Sequence, residues 1–163
     1  MIILGIDPGL NTTGYGLIRL DRSKLHFLAA GEISTGKAKD FSAKLEILYN
    51  MCCEIIEDHK PDVFAIEETF SNVNPRTSLK LGHARGVLML AGQVKGLTVY
   101  EYPATIVKKA LTGVGSASKE QVKYMVMKML KLPSLEGKMD VSDALAVAIT
   151  HYNQIRFGLL KNK

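Results

Sequence analysis

Three runs dominated by Ile, Leu, Tyr and Phe open the chain, at residues 2–7, 14–20 and 25–33, separated by "PGLNTT" and "DRSK". Apolar runs punctuated by Pro, Gly, Asn and Asp predict strands joined by two consecutive hairpins, an antiparallel three-strand meander. From Ser42 to Asp58 the period changes. Leu45, Leu48, Cys52, Ile55 and Ile56 recur at three and four residues, which predicts an amphipathic helix ending before Pro61. "DVFAIE" follows as a continuous apolar run between helical patterns. Such a run suits a strand buried on both faces and paired in parallel through a helical crossover.

Asn74-Pro75 supplies an N-cap and a first-turn proline for a helix reaching about Lys95. That helix carries Gly82, Gly86 and Gly92, which cost helix stability and point to close packing against another helix or a second subunit. "LTVYEY" reads as a fifth strand. Ser118 and Gln121 form a capping box, and Val122, Met125, Val126 and Met129 give the buried stripe of the helix it starts. A last helix runs from about Met139 to Phe157, with Leu145, Ala148, Ile149 and Tyr152 on its apolar side. No linker or repeat divides the pattern, so residues 1–157 read as one α/β domain followed by a short basic tail, 158–163.

At 163 residues the chain can bury a sizeable single core. The adjacent Cys52 and Cys53 sit in a helical pattern and read as small hydrophobes, which fits a reducing cytosol. The first residues have no basic region and only a short apolar run, and no stretch approaches the ~20 apolar residues of a membrane span, so the expectation is a cytoplasmic protein. The net charge is +5. Between Ala104 and Lys138 stand Lys108, Lys109, Lys119, Lys123, Lys128, Lys131 and Lys138 against Glu120 and Glu136, an excess of five that equals the net charge. That cluster is either a solvated helix face or an electrostatic footprint for a polyanion.

The candidate chemistry lies in the acids. Asp7 ends the first apolar run and is followed at once by Pro8-Gly9. An ionised carboxylate at the end of a core strand costs several kcal/mol unless donors or a cation compensate it. A turn cap is one solution. Glu67 ends "DVFAIE" in the same way, and if the two strands are parallel neighbours, about 4.8 Å apart, both carboxylates emerge at one sheet edge. Asp140 and Asp143, three apart, share one face in the first turn of the last helix. Helix-dipole complementarity would account for them alone, yet their helix is otherwise apolar around them and should lie against the sheet. Four acids brought together need cations, and an all-oxygen set suits Mg²⁺ or Mn²⁺ in a two-metal site for displacement at phosphorus. His151, about 16 Å along the helix from Asp140, is too distant to bind the same ion and reads as a surface or packing residue. Glu68 should point to the other side of its strand.

"GIDPGLNTTGYG", "FAIEETF", "KLGHARG", "GVGSASKEQV" and "DVSDALAVAITH", in this order, closely resemble the RuvC family of bacterial Holliday junction resolvases, from Met1 to about Tyr152. The resemblance implies a ribonuclease H-like fold, a five-stranded mixed sheet with helices on both faces. It implies a homodimer that nicks two strands of four-way junction DNA symmetrically with Mg²⁺, two ions per subunit, or Mn²⁺ as substitute, leaving 5′-phosphate and 3′-hydroxyl ends. RuvA and RuvB branch-migration proteins are the partners it implies. The family's acidic tetrad falls on Asp7, Glu67, Asp140 and Asp143, its base-stacking aromatic on Phe70, and its phosphate-holding lysines on Lys108 and Lys119. Arg76 is a further DNA-binding candidate without a matching family position.

Three other readings remain open on sequence. "DPGLNTTG" is similar to the first phosphate loop of actin-like and sugar-kinase phosphotransferases, which use two such domains. A non-catalytic junction-binding protein would use the same lysines but has no purpose for the tetrad. Another ribonuclease H-like nuclease, acting on RNA or hybrids, shares the acids.

Overall fold

The computed structural model describes residues 1–22, 24–68, 74–135 and 139–159. The predicted meander forms from β1 (Ile2–Asp7), β2 (Thr12–Asp21) and β3 (Lys24–Ser34), all antiparallel. Helix α1 (Phe41–His59) starts where Asp40 accepts the Ala43 N–H at 2.8 Å and stops at Lys60, whose φ of 46° breaks the helical path. It carries the chain to β4 (Val63–Glu68), parallel to β1 as expected. Helix α2 (Pro75–Val94) is capped by Asn74 and leads to β5 (Thr98–Pro103), parallel to β4. The remaining helices are α3 (Ala104–Thr112), α4 (Lys119–Leu130) with the predicted capping box, and α5 (Met139–Arg156).

The sheet order is β3-β2-β1-β4-β5, a five-stranded mixed sheet with helices on both faces. Leu4, Ile6, Phe64 and Ile66 pack toward α1 and α2. Ile3, Ile18 and Ala65 pack toward α3, α4 and α5. Cys52 is buried and Cys53 half-buried, both as free thiols. Among the described residues no helix is long and apolar enough to cross a membrane.

Helix α3 is the element the hydrophobic pattern does not predict. Thr105, Ile106 and Val107 are β-branched and follow "LTVYEY" after only Pro103-Ala104, which hides a short helix. What marks it is the buried pair Val107 and Leu111, four apart, and Gly113 at its end with φ 80°.

The second departure is α5, expected to be amphipathic but enclosed on all sides. From Val141 to Asn153 every residue is buried except Asp143. Glycines in the sheet permit this: a methyl at Gly5 would strike the Ala144 carbonyl, and one at Gly14 would strike the Asp140 carbonyl. The helix backbone therefore lies directly on β1 and β2. His151 is consequently 1% exposed, so the surface alternative for it is wrong and the packing alternative holds.

Candidate active site

Ile6 pairs with Ile66 in the parallel β1–β4 ladder, so the next residues, Asp7 and Glu67, leave the sheet side by side at its carboxyl end. On the other flank Asp7 pairs with Gly14, the residue against which the Asp140 backbone rests. This contact brings the first turn of α5 to the strand ends. Asp7, Glu67 and Asp143 line one pocket of about 170 Å³ with Lys108 of α3 and Lys119 of α4; Val107 and Val122 form apolar wall. Asp140 does not line it, though its charge acts on Asp7.

The turn after Asp7 is closed by other groups. Gly9 N–H donates to Thr13 Oγ1 at 3.1 Å, and the Thr35 hydroxyl donates to the Leu10 carbonyl at 2.6 Å. Sequence reading missed both threonines; Thr13 has a signal in its place four residues after the Pro-Gly turn, whereas Thr35 reaches it only through the fold. The electrostatics separate Asp7 from a cap. Asp40, which does cap a helix, is held below the usual carboxylate range by the Ala43 and Ser42 hydrogen bonds. Asp7 goes the other way, pushed up to about 8 by burial and then by repulsion from Glu67, Asp143 and Asp140. Glu67 is pushed up to about 7 by burial and by Asp143. Lys119 Nζ donates to Asp143 Oδ2 at 2.7 Å and is raised by that contact. These acids are under-compensated, and a lysine ammonium already serves as partial counter-charge.

The other predicted site residues divide. Lys108 and Lys119 converge on the pocket, Lys108 through the unpredicted α3. Arg76 is exposed in the first turn of α2 and does not line the pocket. Glu68 is half-buried at the end of β4 and also lies off the pocket. Phe70, Glu136, Lys138 and the tail from residue 160 lie outside the described residues.

An oxygen-only donor set, raised by mutual repulsion, suits a hard divalent cation. Among the described residues no three acid, histidine or cysteine groups are drawn together closely enough to hold one ion as they stand. Repulsion between uncompensated carboxylates favours that splay, and the pocket leaves room between them, so the residues fit the ion.

A mixed sheet of this order, with paired acids at the ends of its two central parallel strands and basic residues beside them, defines a ribonuclease H-like nuclease, a class that depends on divalent metal. The profile of the family described as "Crossover junction endodeoxyribonuclease RuvC" matches residues 3–151. A protein of that description from Geotalea uraniireducens (strain Rf4) is 48% identical over 162 residues, covering 99% of this chain and 94% of that protein. The solved structure of Thermus thermophilus RuvC superposes with a TM-score of 0.88 at 30% identity, covering 97% of each chain. T. thermophilus RuvC in complex with Holliday junction substrate gives a TM-score of 0.87 at 28% identity, again over 97% of each chain. The chain belongs to the RuvC family of crossover junction endodeoxyribonucleases.

Proposed function

We infer that this protein is an endodeoxyribonuclease that resolves four-way Holliday junctions. The observation that carries the chemistry is the in-register exit of Asp7 and Glu67 from parallel strands into a pocket shared with Asp143, Lys108 and Lys119. In the proposed mechanism Asp7, Glu67, Asp140 and Asp143 hold divalent cations, Mg²⁺ or Mn²⁺. Bound there, such cations supply Lewis acidity that lowers the pKa of water and offsets charge at the phosphodiester.

The chain's own groups do the rest. The acids must be ionised to hold cations, so the raised Asp7 and Glu67 carboxyls release their protons as cations load. Lys108 and Lys119 place fixed positive charge beside the scissile phosphate and steady its developing negative charge. Lys119, bonded to Asp143 at the pocket and exposed, would be placed to reach the phosphate from there. Val107 and Val122 keep one wall of the pocket dry, which strengthens each of these interactions. Phe70 is proposed to stack on junction bases, and Arg76, which does not line the pocket, to contact backbone.

Symmetric nicking of two strands calls for two active sites, and α2 supports a homodimer. Its outer face exposes Leu79 at 65% and Leu90 at 54%, and a methyl added at Gly82 or Gly86 would meet nothing. These residues, with His83 and Val87, border a shallow cleft of about 510 Å³ that a second copy of the helix could fill. A sedimentation run finding a monomer that still makes paired nicks would remove the dimer. Cooperation with RuvA and RuvB rests on family resemblance; failure to co-assemble with them on a junction would remove it.

The test is a synthetic four-way junction beside a matched linear duplex, each with and without Mg²⁺. Paired nicks in the junction alone, only with Mg²⁺, are expected. Equal cutting of the duplex would favour a less selective ribonuclease H-like nuclease, and binding without cutting a junction-binding module.

A further inference from the structure

A cleft of about 620 Å³ lies between β3, the end of α4 and the C-terminal half of α5. It stands at the opposite end of the molecule from the acids. Asp7 pairs with Gly14 near the start of β2, whereas Lys24 pairs with Asp21 at its finish. Asp140 opens α5 and Arg156 closes it, about 24 Å away by helical rise. The floor of the cleft is apolar, formed by Leu25, Phe27, Met129, Leu132 and Tyr152. Its rim carries Lys24, Lys131 and Arg156 with His26 beside them, and none of the described residues lining it is acidic. Arg156 also stands over the ring of Phe157, which is 64% exposed and extends the apolar surface past the helix end.

The backbone adds a third feature. In the order β3-β2-β1-β4-β5, β3 is an edge strand that pairs with β2 on one side only. A long edge strand offers backbone donors and acceptors to any extended segment laid beside it. Here that edge borders an apolar floor and a cationic rim.

We propose that this cleft is a docking site for an extended acidic-apolar segment of a partner protein, which adds alongside β3 as a further strand. Side chains of an extended segment alternate between faces. Apolar members would enter the cleft over Phe27 and Leu25, and acidic members would reach Lys24, Lys131 and Arg156. A nucleic-acid backbone would meet the charge but leave the apolar floor uncovered, so a peptide complements both features. The site is remote from the pocket, so occupancy would tether a partner without blocking the acids.

The test titrates the full chain into a fluorescein-labelled, end-blocked peptide alternating valine and glutamate, read by anisotropy at fixed salt. Saturable binding is expected, weakened roughly tenfold or more by the double variant Lys24→Glu/Arg156→Glu, since two attractions become repulsions. Junction nicking by that variant should stay at the parent rate. Should the double variant fail to fold, Phe27→Asp is read in its place and should weaken binding as much. The proposal is overturned by absent saturation, or by equal affinity in the folded variant. It is equally overturned if an all-glutamate peptide binds as tightly, or if linear duplex DNA displaces the peptide, which would assign the cleft to nucleic acid.

Discussion

Near its start, α5 presents Asp143 to Asp7, Glu67 and Lys119; two turns further on it presents His151 to Tyr100 and Tyr102. Both clusters are polar groups set against the same apolar sheet, yet they differ in charge. His151 Nδ1 and the Tyr102 hydroxyl share a hydrogen bond at 2.7 Å, and the ring lies 4.5 Å from that of Tyr100. Burial pushes the imidazole down to about 4, so it is neutral in the folded protein at neutral pH. Asn153 beside it donates to the Ala110 carbonyl at 3.0 Å, tying α5 to α3. That cluster is neutral and bonded, so it stabilises. The acidic cluster is buried and repels itself, so it costs stability while its charge is uncompensated.

The largest effect that could break this contrast is on catalysis. Glu67→Gln should lower junction nicking roughly a thousandfold or more if Glu67 holds a cation as proposed, while leaving the melting curve of the metal-free protein no worse. Single-turnover rates measure it. His151→Ala should do the reverse. Removing a buried ring and leaving the Tyr102 hydroxyl without its partner should cost about 2–4 kcal/mol in urea unfolding. The folded fraction should still cut.

The pH dependence of stability sharpens the comparison because the two clusters titrate in opposite senses. Asp7 moves from an ordinary 3.8 to about 8, so the folded state holds a proton that the unfolded state releases, and stability falls as pH rises across that window. Glu67 acts likewise from 4.5 to about 7. His151 moves from 6.5 to about 4, so its contribution is lost as pH falls through that range. Between about 4 and 6.5 the two slopes oppose each other. Above that only the acids remain, and the metal-free protein should lose stability up to about pH 8. Mg²⁺ should flatten that decline in thermal melts. A metal-free curve that rises with pH there would contradict the charge assignment.

The smallest effect concerns Lys119. Lys119→Ala should weaken junction binding and reduce the slope of log affinity against log salt by about one, as loss of one phosphate contact does. An unchanged slope would leave Lys119 as a counter-charge for Asp143 alone.

Much of this was legible in the sequence because periodicity and turn chemistry agreed. The Asn74 end of α2, the Ser118 capping box and the continuous run before Glu67 each sit where the pattern puts them. The convergence of Asp7 and Glu67 followed from two apolar runs ending alike. What stayed hidden depends on tertiary contact. No element is predicted over α3, where β-branched Thr105, Ile106 and Val107 disfavour helix and carry no period of their own over so short a stretch. The burial of His151 rests on the approach of α5 through Gly5 and Gly14, and nothing in "AVAITH" reports which side a sheet will cover.

The central claim is that the acid pocket performs the cleavage and phosphate contacts perform the binding. Its most direct test is Asp7→Asn beside the parent protein, assayed on one labelled four-way junction in Mg²⁺ for both nicking and gel retardation. The account predicts retardation close to that of the parent with nicking abolished. A variant that nicks at the parent rate, or that loses retardation together with nicking while still folded, would contradict it.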